Sequence, residues 1–260
     1  MKIVTWNINS LRLRMPLLKG FVYEYQPDII ALQETKVADP LFPLGDCIGL
    51  GYRYVRFSGE KSYNGVAILS KYPIEESFCL EFYNHDKRHI AARIAGIELH
   101  NFYVPAGGDE PDEAINPKFK HKLSYLDLMN EWFLKNRNKN QNIVLVGDLN
   151  IAPLEHDVWS SKQLRNIVSH TDIERTRLNR NMNEFGFIDA PRLIFPETEK
   201  LYSWWSYRNL NWEKSDRGRR LDHIWVTPNL VTKPISSSIA KEMRKLKGPS
   251  DHVPVLVNIP

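Results

Sequence analysis

The segment Gly147-Asp148-Leu149-Asn150 follows the apolar run Ile143-Val144-Leu145-Val146, a pattern that predicts a buried β-strand ending in polar residues. A carboxylate and a carboxamide two residues apart at a strand end can point to one side. There they can hold a hard cation, or a water, beside a phosphate. Residues of the same kind lie at the edges of other apolar runs: Asn7 and Asn9 after residues 2–6, Glu34 after residues 28–32, and Asp251 just before residues 253–259. Any one of them alone reads as a turn residue or a surface carboxylate. The signal lies in the set, because strand-end loops can converge on one shared site.

The chemistry such a set supports is metal-assisted hydrolysis of a phosphodiester. That reaction needs the phosphate charge neutralised, a water deprotonated and the leaving alkoxide stabilised. Mg²⁺, with Mn²⁺ as an alternative, takes oxygen ligands and keeps several waters, so one or two carboxylates with carboxamides suffice. Asn7, Glu34, Asp148, Asn150 and Asp251, with His252, are the candidate ligands. His252 needs a carboxylate partner to favour its charged form at neutral pH, and Asp222 in Arg220-Leu221-Asp222-His223 is the expected one. Strand alternation turns His223 away from Asp222, and it also sets Asp251 opposite His252 unless the chain turns there. Tyr103, at the end of the run 99–104, offers a phenol for phosphate binding or proton relay.

Two further groups suit a polyanion. Tyr202-Ser203-Trp204-Trp205-Ser206-Tyr207-Arg208 is followed by Arg217-Gly218-Arg219-Arg220. Arginines contact phosphates, and aromatics wedge between bases or line a pocket for an extruded sugar. Alternation assigns Trp205 to the core and Trp204 to the ligand side, while Arg208, Arg217, Arg219 and Arg220 are expected at phosphates. Net charge is +4, but residues 208–247 carry ten Lys/Arg against four Asp/Glu, a local +6. This is consistent with a nucleic-acid substrate.

The elements that must position these residues are mostly strands. Apolar runs at residues 2–6, 28–32, 52–57, 66–69, 91–94, 99–104, 143–146, 221–227 and 253–259 are punctuated by Gly, Pro or Asn. Phe119, Leu123, Leu126, Met129 and Phe133 recur at helical spacing. Thr171-Asp172-Ile173-Glu174 has the T-x-x-E spacing of a capping box, and its helix should stop near Gly186. A third helix is expected within residues 11–25, its start limited by Pro16. Strands outnumber helices, and the helices fall between strand groups. The expected fold is α/β, two stacked sheets flanked by helices, in one domain over residues 1–260. The polar segments after Trp6 and after Val146 hint at two related halves. Hydrophobic residues make up 42% of the 260, ample for a core. No apolar run approaches the ~18 residues of a membrane span, no signal peptide is expected, and Cys47 and Cys79 read as reduced thiols. A cytoplasmic protein is expected.

Taken in order, Trp6-Asn7-Ile8-Asn9, Leu32-Gln33-Glu34-Thr35-Lys36, Asn64-Gly65-Val66-Ala67, Tyr103-Val104-Pro105, Gly147-Asp148-Leu149-Asn150-Ile151-Ala152-Pro153, Arg220-Leu221-Asp222-His223-Ile224 and Ser250-Asp251-His252-Val253-Pro254 resemble the exonuclease III family. These are bacterial AP endonucleases within the endonuclease/exonuclease/phosphatase superfamily. The resemblance implies a four-layer α/β sandwich of two packed mixed sheets flanked by helices. It also implies a Mg²⁺-dependent monomer that acts on double-stranded DNA, at abasic sites and 3′ ends, and leaves a 3′-hydroxyl. By the same resemblance Glu34 is the principal metal ligand, with Asn7 and Asp251 near it or at a second metal position. Asp148 activates or holds the water, and Asn150 contacts the phosphate and orients Asp148. Tyr103 binds the phosphate or helps protonate the leaving group, and His252, oriented by Asp222, stabilises the developing charge. Trp204 lines the sugar pocket.

One position departs. Where the family carries an amide side chain after Tyr103-Val104-Pro105, this chain has Ala106-Gly107-Gly108, so one hydrogen-bond donor is either missing or supplied from elsewhere, with Lys118 the candidate. Residues 166–170 are expected to border the scissile site. Superfamily members acting on RNA or on phosphorylated small molecules share the Asn, Glu, Asp-x-Asn and Asp-His pieces and stand as the alternative. The segment 204–220, rich in Trp and Arg, is what favours DNA.

Overall fold

The computed structural model describes residues 1–83 and 85–260. The first half runs β1 (Lys2–Asn7), α1 (Leu11–Tyr25), β2 (Ile29–Gln33), α2 (Leu44–Gly49), β3 (Tyr54–Ser58) and β4 (Val66–Ser70). Next come β5 (Ile74–Phe78), β6 (His89–Ile94), β7 (Ile97–Tyr103), α3 (Pro117–Asn136), β8 (Ile143–Asp148), α4 (Ser161–Leu164) and α5 (Asp172–Phe185). The remainder is β9 (Ile188–Asp189), β10 (Trp204–Trp205), α6 (Trp212–Ser215), β11 (Gly218–Arg219), β12 (Asp222–Val226), β13 (Ser236–Ile239) and β14 (Val255–Asn258).

Two six-stranded mixed sheets result, in the orders β13-β14-β1-β2-β4-β3 and β5-β6-β7-β8-β12-β9, with β10-β11 as a small separate ribbon. The central pair is parallel in each sheet, β1 with β2 and β7 with β8, and each pair is joined through a helix, α1 or α3. Read outward from that pair, the neighbours are antiparallel in both sheets. The two sheets are therefore related halves, shifted along the chain because β13 and β14 come last.

Period-2 alternation sorts the side chains into layers. Ile3, Ile29, Ala31, Leu99, Val144, Val146 and Ile224 fill the space between the sheets. Val4, Trp6, Ile30 and Leu32 face outward under Leu18 and Phe21 of α1. Phe102, Leu145 and Trp225 face outward on the other side, under Leu126, Met129 and Phe133 of α3 and Leu178 of α5. The expected four-layer α/β sandwich is what forms.

Thr171 and Glu174 complete a reciprocal capping box, and Gly186 ends α5 with a left-handed φ of 85°. The helix α1 begins at Leu11 despite Pro16, and its backbone breaks at Arg14. Proline crowds the preceding turn, and the break at Arg14 lies within that turn. Two strands without an apolar run in the sequence, β5 and β13, are edge strands exposed over much of their length. Solvent on their outer side removes the burial that would have marked them.

Candidate active site

The alternation that fills the inter-sheet core also aims the polar residues. Continuing the inner-face series, Ile3 and Thr5 lead to Asn7, Leu99 and Asn101 to Tyr103, and Val144 and Val146 to Asp148. Asn7 pairs with Gln33 at the end of β1 and β2. Tyr103 pairs with Asp148 at the end of β7 and β8, and Asp148 with Asp222 across β8 and β12. One edge of the sandwich thus collects these groups from both sheets. The loops there leave ordinary backbone geometry: Asn9, Glu34 and Asn150 have φ of 47°, 50° and 54°. Left-handed backbone is unfavourable for residues with a Cβ, most of all for a Glu, and clusters at functional sites.

Asn7 joins the two halves. Its Nδ2 donates to Glu34 Oε1 and to Asp148 Oδ2, both at 2.8 Å, and its Oδ1 accepts from the Asn9 amide. Asn7 therefore turns its amino side toward the carboxylates, whereas a ligand to a metal would turn its oxygen there. Asn150 is drawn to Asp148 by a turn rather than by strand alternation. Its backbone N–H donates to Asp148 Oδ1 at 2.9 Å, and its side chain to Asp148 Oδ2 and the Val104 carbonyl.

Around Glu34 the polar groups form a continuous chain. Lys36 Nζ lies 2.7 Å from Glu34 Oε2 and 2.7 Å from Asn9 Oδ1. Asn9 donates to one oxygen of Asp251, and Trp204 Nε1 donates to the other at 3.0 Å. Burial opposes ionisation of Glu34, but Lys36 and Asn7 outweigh it and hold its pKa below the usual value. Burial, then the charges of Glu34 and Asp148, push the Tyr103 phenol well above its ordinary value, with Arg88 stacked on its ring at 4.7 Å.

His252 Nδ1 lies 2.8 Å from Asp222 Oδ2, and Nε2 lies 3.6 Å from Asp148 Oδ2. Burial disfavours the charged ring, yet the carboxylates of Asp222 and Asp148 outweigh it and raise its pKa to about 10. Burial is also the main influence on Asp148, opposed by the His252 charge and reinforced by Asp222, and its pKa rises to about 7. His223 faces away, as alternation requires, and its Nε2 meets the Ile151 carbonyl. Asp251 and His252 do share the site, because the chain bends there before β14 and only a single bridge, to Trp204, holds His252 in extended register.

These residues open into a cavity of about 860 Å³ that Glu34, Tyr103, Asp148, Asn150, Trp204, Asp251 and His252 all line. Trp205 is fully buried and Trp204 partly exposed. Arg208, Arg217 and Arg219 line the same cavity, as do Ile167, Val168 and Ser169 from the expected bordering loop. Lys118 is exposed near the start of α3, outside the lining.

Arg220 is a correction. It is 1% exposed and bonds Asp189 at 2.5 and 2.7 Å, with Asp157 at 3.6 Å, so it cannot reach a phosphate. Lys241 and Lys245 are likewise paired, with Asp216 and Glu213. The local +6 is therefore not one patch, and of its cations Arg208, Arg217 and Arg219 line the cavity.

The endonuclease/exonuclease/phosphatase family matches over residues 4–252. The chain belongs to that family. It is 32% identical to the exodeoxyribonuclease III of Haemophilus influenzae over 98% of both chains. Against the exodeoxyribonuclease of Bacillus subtilis it is 30% identical over the full length of both. Among solved structures, an AP endonuclease from Archaeoglobus fulgidus superposes with a TM-score of 0.93 at 34% identity, covering 100% of this chain and 99% of that one. The 3′ phosphatase NExo from Neisseria, bound to a product DNA hairpin, gives 0.91 at 30% identity with the same coverage.

Within this endonuclease/exonuclease/phosphatase chain the structure adds residues that the motifs did not assign. Lys36 is one, a cation beside the carboxylate it follows. Lys122 is another. It is fully buried, 2.5 Å from buried Glu174, and donates to the carbonyls of Asn150 and Ala106. Its place three residues after Phe119 and four before Leu126, on the apolar face of α3, was the available signal. With its three donors engaged inside the protein, Lys122 does not replace the missing amide at Ala106.

Proposed function

We propose that this protein is a DNA-repair phosphodiesterase, an AP endonuclease and 3′→5′ exodeoxyribonuclease that hydrolyses the DNA backbone and leaves a 3′-hydroxyl. The observation that carries the reading is the joining of Glu34, Asp148 and His252 through Asn7 and Asp222 at one cavity, in a chain whose relatives bear those names. A monomer with Mg²⁺, or Mn²⁺, completes it.

The donor chemistry fits such a cation. Glu34 and Asp148 present hard carboxylate oxygens to one cavity, and Asp251 a third at its edge. Asp148, Asp222 and His252 also offer ligand atoms within 4.8 Å of one another. His252 is assigned elsewhere, because a ring held protonated between two carboxylates has no lone pair for a metal. Glu34 would be the main ligand, with Asp148 and Asp251 nearby and Asn7 able to join if its carboxamide turns over. The bound cation would neutralise phosphate charge and favour the departing alkoxide.

This chain's own residues supply the rest. Asp148, held by Asn7 and Asn150, accepts the proton of the attacking water. The His252 imidazolium, kept charged by Asp222, lies against the charge that develops on the phosphate. Tyr103 remains protonated and can donate to the phosphate or to the leaving oxygen. Arg208 and Arg217 hold the backbone, and Trp204 walls the sugar pocket.

One gel tests the reading: a duplex with a central abasic analogue, an intact blunt duplex and single-stranded DNA, each with Mg²⁺ and with EDTA. Metal-dependent incision at the analogue and shortening of the blunt duplex are expected. No cleavage of any of the three DNAs with Mg²⁺ overturns it and favours the alternative phosphodiesterases.

A further inference from the structure

Arg219 stands in the cavity wall without a carboxylate of its own. Its Nη1 donates to the Val168 carbonyl at 2.9 Å and to Ser169 Oγ at 2.5 Å. Its Nε is buried with no partner, and among the described residues no carboxylate forms an ion pair with it. The guanidinium lies over the Trp204 ring, 5.4 Å from its centroid, so it shares the wall that faces the sugar. Behind it, Lys122 and Glu174 pair with both side chains inaccessible, and Glu174 also binds the amides of Ser169 and Thr171. Lys122 and Arg219 thus both face Glu174, but only Lys122 is within ion-pair distance of it, which leaves the guanidinium free to engage an anion from the pocket side. A half-buried guanidinium without an ion pair of its own gains when an anion arrives with the substrate.

The chemistry of the two candidate reactions says which anion. At an internal abasic site, water adds to phosphorus and the bond to the upstream 3′-oxygen breaks. The phosphorus keeps the ester oxygen of the abasic sugar, and that sugar occupies the pocket. At a 3′-terminal phosphate the same bond breaks with the same attack, giving a 3′-hydroxyl and inorganic phosphate. In place of the sugar the phosphorus carries a further charged oxygen. We propose that Arg219 is a specificity-determining residue that recognises this additional oxygen, so that the pocket favours 3′-phosphate monoesters over internal abasic sites. The inference rests on the phosphodiesterase reading above, and adds to it which end-group the pocket selects. A guanidinium bound at one edge by Val168 and Ser169 and lying over the Trp204 ring is already ordered, so little is lost when it engages an oxyanion.

The test measures kcat/KM for wild type, Arg219→Leu, Arg219→Lys and Ser169→Ala on two duplexes of one sequence. One carries a 3′-phosphate at a single-nucleotide gap, the other an internal tetrahydrofuran analogue. Arg219→Leu should lower the ratio of 3′-phosphate to abasic activity by about 10- to 100-fold, the scale of one charge-assisted hydrogen bond. Arg219→Lys should recover part of that ratio. Ser169→Ala keeps the charge but removes one of the bonds that order it, and should lower the ratio clearly less than Arg219→Leu does. Equal losses on both substrates for Arg219→Leu would overturn the proposal, as would a shift in ratio for Ser169→Ala matching that of Arg219→Leu, since the loop would then be the determinant. Wild-type inactivity on both duplexes would instead bring down the phosphodiesterase reading itself.

Discussion

Asn7, at the end of β1, donates a hydrogen bond of 2.8 Å to Asp148, at the end of β8 in the other sheet. The contact spans 141 residues of chain and fixes how the two halves of the sandwich meet. Because the same Asn7 nitrogen also serves Glu34, the carboxylate proposed for the metal and the one proposed for the water cannot move independently.

The titration of the central pair sets an expected pH profile. Asp148 is raised to about 7, so activity should climb as it ionises near neutrality. His252 is raised to about 10, so activity should fall as the ring loses its proton in that range. In stability terms, the His252 contribution is fully present below its unfolded value of about 6.5 and lost as pH rises through its folded value. Asp148 works the other way to most carboxylates. The folded protein keeps a proton that the unfolded chain releases near pH ~3.9, so stability declines as pH rises from there toward 7. Asp222→Asn removes the main support of the imidazolium and should shift the alkaline limb of kcat to lower pH. An alkaline limb unmoved in that variant would remove His252 from the assignment.

Asp148 and Glu34 should separate by kinetics. Asp148→Asn keeps the shape and one of the two Asn150 contacts but cannot take a proton, and kcat should fall at least ~10² while duplex binding survives. Glu34→Gln should instead raise the Mg²⁺ needed for half-maximal rate, by about 10-fold or more. Titrations of rate against Mg²⁺ for both variants decide this. A normal metal requirement in the Glu34 variant would place the cation elsewhere.

Arginines only a few residues apart should behave oppositely. Arg217→Ala should weaken binding to any duplex and reduce the slope of log K against log[salt] by about 0.9. Arg220→Ala should leave that slope unchanged and destabilise the fold by about 3 kcal/mol, because half-buried Asp189 loses its arginine and buried Asp157 keeps only Arg192. Salt titrations beside thermal melts distinguish the two. A reduced slope for Arg220→Ala would contradict its burial.

Gly147 should tolerate no side chain. A Cβ there would come within 1.9 Å of the Phe102 carbonyl oxygen, and its φ of 148° is open to glycine. Gly147→Ala should cost at least about 2 kcal/mol by denaturant melt, with activity falling alongside as Asp148 shifts. A melt like that of wild type would mean β7 and β8 can separate at this point.

What could be read from the residues one after another was whatever depends on local pattern. Runs of β-branched residues marked the inner strands, the Phe119–Phe133 spacing marked α3, and the T-x-x-E box at Thr171 marked the start of α5. Each rests on burial of a face or on a bond between near neighbours. The edge strands β5 and β13 were missed for the same reason, since solvent on one side leaves no apolar signature. The candidate set Asn7, Glu34, Asp148, Asp222 and His252 was visible as strand-end residue types. The pairing of Arg220 with Asp157 and Asp189 was not, for it depends on where the chain after β8 and the strand β9 pass. Neither was the hold of Lys122 on the carbonyls of Ala106 and Asn150, nor the place of Arg219 in the cavity wall without an ion pair of its own. A charged side chain looks the same in sequence whether water, a carboxylate or a carbonyl will surround it. Only the packing of distant segments settles which, because the energy of a charge is set by what lies within a few ångströms of it.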